Sequence, residues 1–135
     1  MRLTRGSEYG ILGVMYLAGQ PPGTITLINK ISQAQDIPES YLAKIFQDLA
    51  KRGLLVSHRG AKGGFSLARE PSQITLREII EAIEGPIALV NCLDGRQGCE
   101  RLGSCSLYNV MDEAQAKMLE VLERTTMEDL VTNGT

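Results

Sequence analysis

Apolar positions along the chain fall mostly at helical spacing. In residues 7–18 they occupy Tyr9, Ile11, Leu12, Val14, Met15, Tyr16 and Leu17, nearly all round a helix. That pattern predicts burial on more than one side, with one side against a second protomer. The Gln20-Pro-Pro-Gly23 stretch ends the helix. A second helix is predicted from Thr26, a good N-cap residue, to Ala34. Asp36 tolerates the left-handed turn that follows, and Pro38 suits the first position of a new helix. The third helix, Pro38–Arg52, is cleanly amphipathic. Leu42, Ile45, Phe46 and Leu49 face the core; Ser40, Lys44, Gln47 and Lys51 share the opposite face. Gly53 stops it.

The period then changes. Leu54–Arg59 and Gly64–Ala68 read as paired strands, joined by the glycine-rich tip Gly60-Ala-Lys-Gly-Gly64. Thr75-Leu-Arg-Glu78 is a capping box for a helix whose apolar side is Ile79, Ile80 and Ile83, closed by Gly85-Pro86. Farther on, Leu107, Met111, Ala114, Met118 and Val121/Leu122 step by three and four along a long helix. So narrow an apolar seam requires a partner helix. Thr126 to Asp129 suits the cap of a short final turn. The predicted class is mainly α (small α+β): a winged helix-turn-helix domain plus a long C-terminal dimerisation helix. Its expected organisation is a DNA-binding domain over 1–85, a cysteine loop over 86–105, a dimerisation helix over 106–124 and a tail over 125–135.

Charge divides the chain in two. Residues 1–69 hold nine Lys/Arg and four Asp/Glu; residues 70–135 hold five and twelve. A basic front half on an acidic chain suits a polyanionic partner, although charge alone leaves a merely solvated surface open. No run approaches the roughly 18 apolar residues of a membrane span, and Glu8 stands where a signal peptide wants basic charge. A cytoplasmic protein with no membrane partner is expected. The single histidine, His58, falls in the hairpin, and no nucleophile–base pair is in evidence, so the sequence offers no catalytic constellation.

Two short helices, a tight turn, a polar-faced third helix and a glycine-tipped hairpin point to duplex DNA as partner. Ser40, Tyr41, Lys44, Gln47 and Lys51 offer hydrogen bonds and positive charge to a groove. The N-terminal end of a recognition helix usually meets base edges, which favours Ser40, Tyr41 and Lys44 there and Lys51 at phosphate. Packing at the helix start is the other reading of Tyr41. In the hairpin, Arg59 is placed to enter a minor groove, Lys62 to neutralise phosphate, and His58 to contact phosphate or solvent rather than a metal.

All three cysteines, Cys92, Cys99 and Cys105, lie within fourteen residues among three glycines. An odd number argues against a disulfide framework. Three thiolates so spaced suit an iron–sulfur cluster or zinc. Asp94, Glu100, Tyr108 and Asp112 are local candidates for a fourth ligand.

Five segments carry a family likeness: Met1-Arg-Leu-Thr4, Ile37-Pro-Glu-Ser-Tyr-Leu-Ala-Lys-Ile-Phe46, Arg59-Gly-Ala-Lys-Gly-Gly-Phe-Ser-Leu67, Ile74-Thr-Leu-Arg-Glu-Ile-Ile80 and the spaced cysteines. Together they resemble the iron–sulfur type of the Rrf2 regulators, over essentially the whole chain. The resemblance implies a homodimer with crossed long helices, a palindromic operator, and cluster ligation (two-iron or four-iron) by Cys92, Cys99 and Cys105. Some members carry a histidine three residues after the last cysteine, where this chain has Tyr108. Others use a carboxylate near the N terminus of the partner subunit, and Glu8 stands at that position, which implies Glu8 in trans as fourth ligand. The expected function is a transcriptional regulator, acting as a repressor, that senses iron–sulfur, redox or nitric oxide status. The alternatives are a regulator whose cysteines bind zinc or form a thiol switch, and a partner-binding module that controls an enzyme.

Overall fold

The structure, a computed structural model, describes residues 3–61, 63–89 and 106–133. Lys62 and the three cysteines, with Asp94 and Glu100, lie outside the described residues.

Helix α1 (Arg5–Ala18) starts two residues before the predicted Ser7, because Thr4 is its cap: the Thr4 hydroxyl accepts the Ser7 N–H at 3.1 Å. The helix buries a single side. Val14 and Leu17 enter the core, Tyr9, Ile11, Met15 and Tyr16 are half-buried, and Leu12 is exposed. The closest packing falls on glycines at i and i+3. A Cβ on Gly13 would lie 2.7 Å from the Phe46 ring, and one on Gly10 would lie 2.5 Å from Ile83 Cδ1. Real Cβ atoms do not approach so closely, so these glycines set the depth at which neighbouring helices dock on α1.

Helices α2 (Ile28–Gln35) and α3 (Glu39–Lys51) are joined by the expected turn, with Asp36 in the left-handed region at φ 55°, ψ 53°. The Ile37 N–H bonds the Ser32 carbonyl at 3.0 Å, and the Ser32 hydroxyl donates to the Ile37 carbonyl. Two starts differ from expectation. Pro38 is the residue before α3 rather than its first, and Thr26 is no helix cap. Instead Thr26 pairs with Phe65, each N–H bonding the other's carbonyl at 2.9 Å, and α2 begins at Ile28. A β-branched residue fits an extended backbone, and this pairing satisfies both polar groups of the nearly buried Thr26.

Strands β1 (Leu55–His58) and β2 (Gly64–Leu67) pair antiparallel, with Val56 opposite Ser66 and His58 opposite Gly64. Thr26 lies on the other edge of β2. Leu55 and Phe65 turn into the core, where Phe65 meets Phe46 edge-on at 5.2 Å between ring centres. Helix α4 (Leu76–Glu84) carries the predicted cap: the Thr75 hydroxyl accepts the Glu78 N–H at 3.1 Å.

Helix α5 (Ser106–Arg124) has no buried residue in the single chain. The expected tail is a helix, α6 (Met127–Asn133). Thr126 and Asp129 cap it reciprocally, at 3.0 and 3.2 Å. The end of α5 returns the chain beside residues 74–76, where Leu76 N–H bonds the Thr125 carbonyl and Met127 N–H the Ile74 carbonyl. Met127 is thereby 0% exposed in the main core. The architecture is mainly α with one small sheet, as the pattern predicts.

Candidate nucleic-acid interface

On α3 the apolar row Leu42, Ile45, Phe46 and Leu49 is buried, while Ser40, Lys44, Gln47 and Lys51 are exposed. At 100° per residue the two rows lie on opposite sides of the helix. Tyr41 departs from the polar row. Its ring packs edge-on against Tyr9 of α1 at 5.4 Å, and its hydroxyl lies 3.4 Å from where a Gly6 Cβ would stand. It remains 46% exposed, so it sits at the seam between α1 and α3.

The hairpin follows α3 directly. Arg59 is exposed at its tip. His58 is half-buried, and its Nε2 lies 2.8 Å from the Ser66 hydroxyl, a strand-to-strand contact that occupies one ring nitrogen. Gly64 is required here: its φ is 143°, and a Cβ would lie 2.3 Å from the Thr26 carbonyl oxygen.

Among the described residues the ion pairs are Arg69–Glu78, Arg77–Glu81 and Arg77–Glu123. None draws on Lys44, Lys51 or Arg59, which are exposed and have no acidic partner among the described residues. Arg77 ties α4 to α5. Its guanidinium is held above its ordinary value, first by the hydrogen bond to Glu81 and then by the charges of Glu81 and Glu123, partly offset by desolvation.

Beside α3 an open cleft of about 690 Å³ separates it from the start of α1 and the end of α4, with Thr4, Ser40, Lys44, Asp48 and Glu84 on its walls. One relationship at this junction is not legible in the sequence. Ser7, 0% exposed, donates its hydroxyl to the carboxylate of Glu84. A serine in a helix's first turn ordinarily caps or faces water, and nothing in the spacing marks a partner 77 residues away.

The expected sensing residues are only partly in view. Glu8 is exposed on the first turn of α1, and among the described residues no hydrogen bond or ion pair engages its carboxylate. Tyr108 is half-buried and Asp112 exposed on α5. No helix among the described residues is long and apolar enough to cross a membrane.

Comparison with known proteins agrees with this arrangement. The family model Rrf2, described as an iron-dependent transcriptional regulator, matches residues 3–133. The HTH-type transcriptional regulator NsrR of Shouchella clausii (strain KSM-K16) is 34% identical over 134 residues, covering 98% of this chain and 90% of its own. Among solved structures, CymR (YrzC), the global cysteine regulator of B. subtilis, is 32% identical with a TM-score of 0.77, and the match covers 98% of both chains. IscR of T. potens is 27% identical with a TM-score of 0.77, over 100% of this chain and 89% of its own. These relatives are transcriptional regulators rather than enzymes. With its helix-turn-helix, its hairpin wing and a family match running from residue 3 to residue 133, the chain belongs to the Rrf2 family of DNA-binding transcriptional regulators.

Proposed function

We propose that the chain works as a homodimer that represses from a palindromic operator, with its affinity for DNA set by an iron–sulfur cluster. The observation that carries the DNA-binding part is the α3 surface: a polar row opposite the core, exposed cations with no acidic partner among the described residues, and a wing directly after it. Ser40 and Lys44 meet base edges, Gln47 lies beside them, and Lys51 meets phosphate. Tyr41 supports the start of α3 from the α1 seam, with its exposed edge toward DNA. Arg59 enters the minor groove, Lys62 neutralises phosphate, and His58 steadies the wing through Ser66.

Cys92, Cys99 and Cys105 would hold the cluster, with Glu8 of the partner subunit as fourth ligand. The donor chemistry fits: three thiolates suit a two-iron or four-iron cluster, and the exposed Glu8 carboxylate is without a partner among the described residues. The family's description as iron-dependent supports the same choice. When bound, the cluster supplies iron that small oxidants or nitric oxide can reach.

The dimer reading rests on α5. Leu107 and Val110 are each 62% exposed and Val121 is 45% exposed. At helical spacing these three fall on one stripe, while Met111, Met118 and Leu122 beside it are half-buried. The predicted seam is therefore shared: one edge leans on its own chain and the other is left for a second α5. The organisation that follows is a DNA-binding unit over 1–85, which 127–133 completes, a cluster segment over 86–105 and a dimer helix over 106–124.

A titration of duplex DNA across salt, with and without the cluster, tests this function. Sequence-specific binding that weakens steeply with salt and changes when iron is removed is expected. A colourless protein with stoichiometric zinc after anaerobic purification contradicts the cluster reading in favour of the zinc alternative.

A further inference from the structure

We infer that Ser7 and Glu84 are positioning residues that connect the cysteine segment to the recognition helix within one chain. The inference rests on the sensing function proposed above and adds the residues that transmit the signal. Glu84 is the last residue of α4, eight residues before Cys92. Its carboxylate accepts the hydroxyl of Ser7, which is wholly buried in the first turn of α1. A hydrogen bond to a carboxylate is among the stronger kinds, and this one joins the start of α1 to the end of α4, the two elements that face α3 across the open cleft.

From Ser7 the contact chain continues to α3. Gly6, the adjacent residue, is also buried, and the Tyr41 hydroxyl lies 3.4 Å from its missing Cβ position. One turn along, Tyr9 holds the Tyr41 ring edge-on. Beside it, Gly10 is covered by Ile83 of α4 and by Ile45 of α3, whose Cγ2 would lie 3.1 Å from an added Cβ. A displacement of the end of α4 thus reaches the N-terminal turn of α3, which carries Ser40 and Lys44, through one polar tie and a packed contact. Past Glu84, Gly85 leaves the helix at φ 86° and Ile87 is again buried. The chain thus leaves α4 toward the cysteine segment from a point tied to α1 by the Ser7–Glu84 bond, and Leu89 N–H is tied farther on to Gln115 Oε1 of α5 at 3.0 Å.

The test uses the full chain, purified anaerobically, on an operator selected by the wild-type protein from random duplexes. Wild type, Ser7→Ala and Glu84→Gln are compared for operator affinity with the cluster and after iron is removed by chelator, alongside non-specific duplex, the visible absorption spectrum and thermal melting. Ser7→Ala is expected to keep the spectrum and the non-specific affinity but to lose about fivefold or more of the affinity ratio between the two states. Glu84→Gln, which keeps an acceptor oxygen, is expected to retain most of that ratio. A Ser7→Ala protein with the wild-type ratio overturns the inference. So does one that fails to fold or weakens equally in both states, since Ser7 would then be only structural. A Glu84→Gln protein as uncoupled as Ser7→Ala moves the effect to the charge of Glu84 and overturns Ser7 as its partner. A wild-type protein with no difference between states contradicts the sensing function, and the inference with it.

Discussion

Gly64 runs so close beneath Thr26 that a Cβ on it would stand 2.3 Å from the Thr26 carbonyl oxygen. The same carbonyl accepts the Phe65 N–H at 2.9 Å, so the contact is locked to the ladder beside it. Gly64→Ala must therefore open this pairing and also adopt a φ of 143°, which side chains rarely take. The expected cost is about 1–3 kcal/mol of stability, seen as a lower midpoint in urea denaturation, with weakened DNA binding because the wing is carried on β2.

The glycines of α1 differ in what they touch, and their substitutions should differ accordingly. An alanine gains about 1 kcal/mol of helix propensity over glycine. At Gly10 the nearest obstacle is the tip of the half-buried Ile83, which can rotate away, with the buried Ile45 Cγ2 farther off at 3.1 Å, so Gly10→Ala is expected to cost less than Gly13→Ala. At Gly13 it is the fully buried Phe46 ring, held in turn by Phe65. Overpacking there costs about 1–3 kcal/mol, so Gly13→Ala is expected to destabilise. Equal melting temperatures for the two variants would contradict this account of how α3 docks.

Met127 seals the core from the far end of the chain. Met127→Ala is expected to cost about 2–5 kcal/mol, the usual loss on truncating a large buried side chain, measured by chemical denaturation. A loss below half a kilocalorie, the scale of ordinary surface substitutions at about 0.5 kcal/mol, would return 127–133 to the status of a tail.

These variants also mark what the sequence could reveal. The α3 pattern, the Asp36 turn, the Thr75 cap and the helical repeat from Leu107 to Leu122 are all local: each follows from the residues within a turn or two, and each is present as read. Thr26 was legible only as a good cap, because its pairing with Phe65 depends on a strand 39 residues away. Met127 looked like tail for the same reason, since its burial depends on where α5 returns the chain. Ser7 and Glu84 carry no spacing signal, whereas the small residues of α1 do recur at helical intervals and could have announced a close helix contact. In the interface, the outward row of α3 was fixed by periodicity, but the sideways turn of Tyr41 and the His58–Ser66 contact needed the packed structure.

Arg59 and Lys44 separate two kinds of DNA contact. Arg59→Ala is expected to weaken operator binding while the dimer stays intact by sedimentation. Lys44→Ala is expected to cost about 1–3 kcal/mol and to relax base preference near the centre of each half-site, as loss of a base-edge contact does. If Lys44→Ala instead reduced the salt slope by about one and weakened all sequences alike, Lys44 would be a phosphate contact.

Native mass spectrometry of the anaerobically purified protein decides whether a cluster-bearing dimer exists. The expected species is a dimer that carries iron and sulfide on each chain, reduced to apoprotein in Cys99→Ala and with a shorter-lived cluster under oxygen in Glu8→Ala. A monomer, or a dimer whose only metal is zinc, would contradict it.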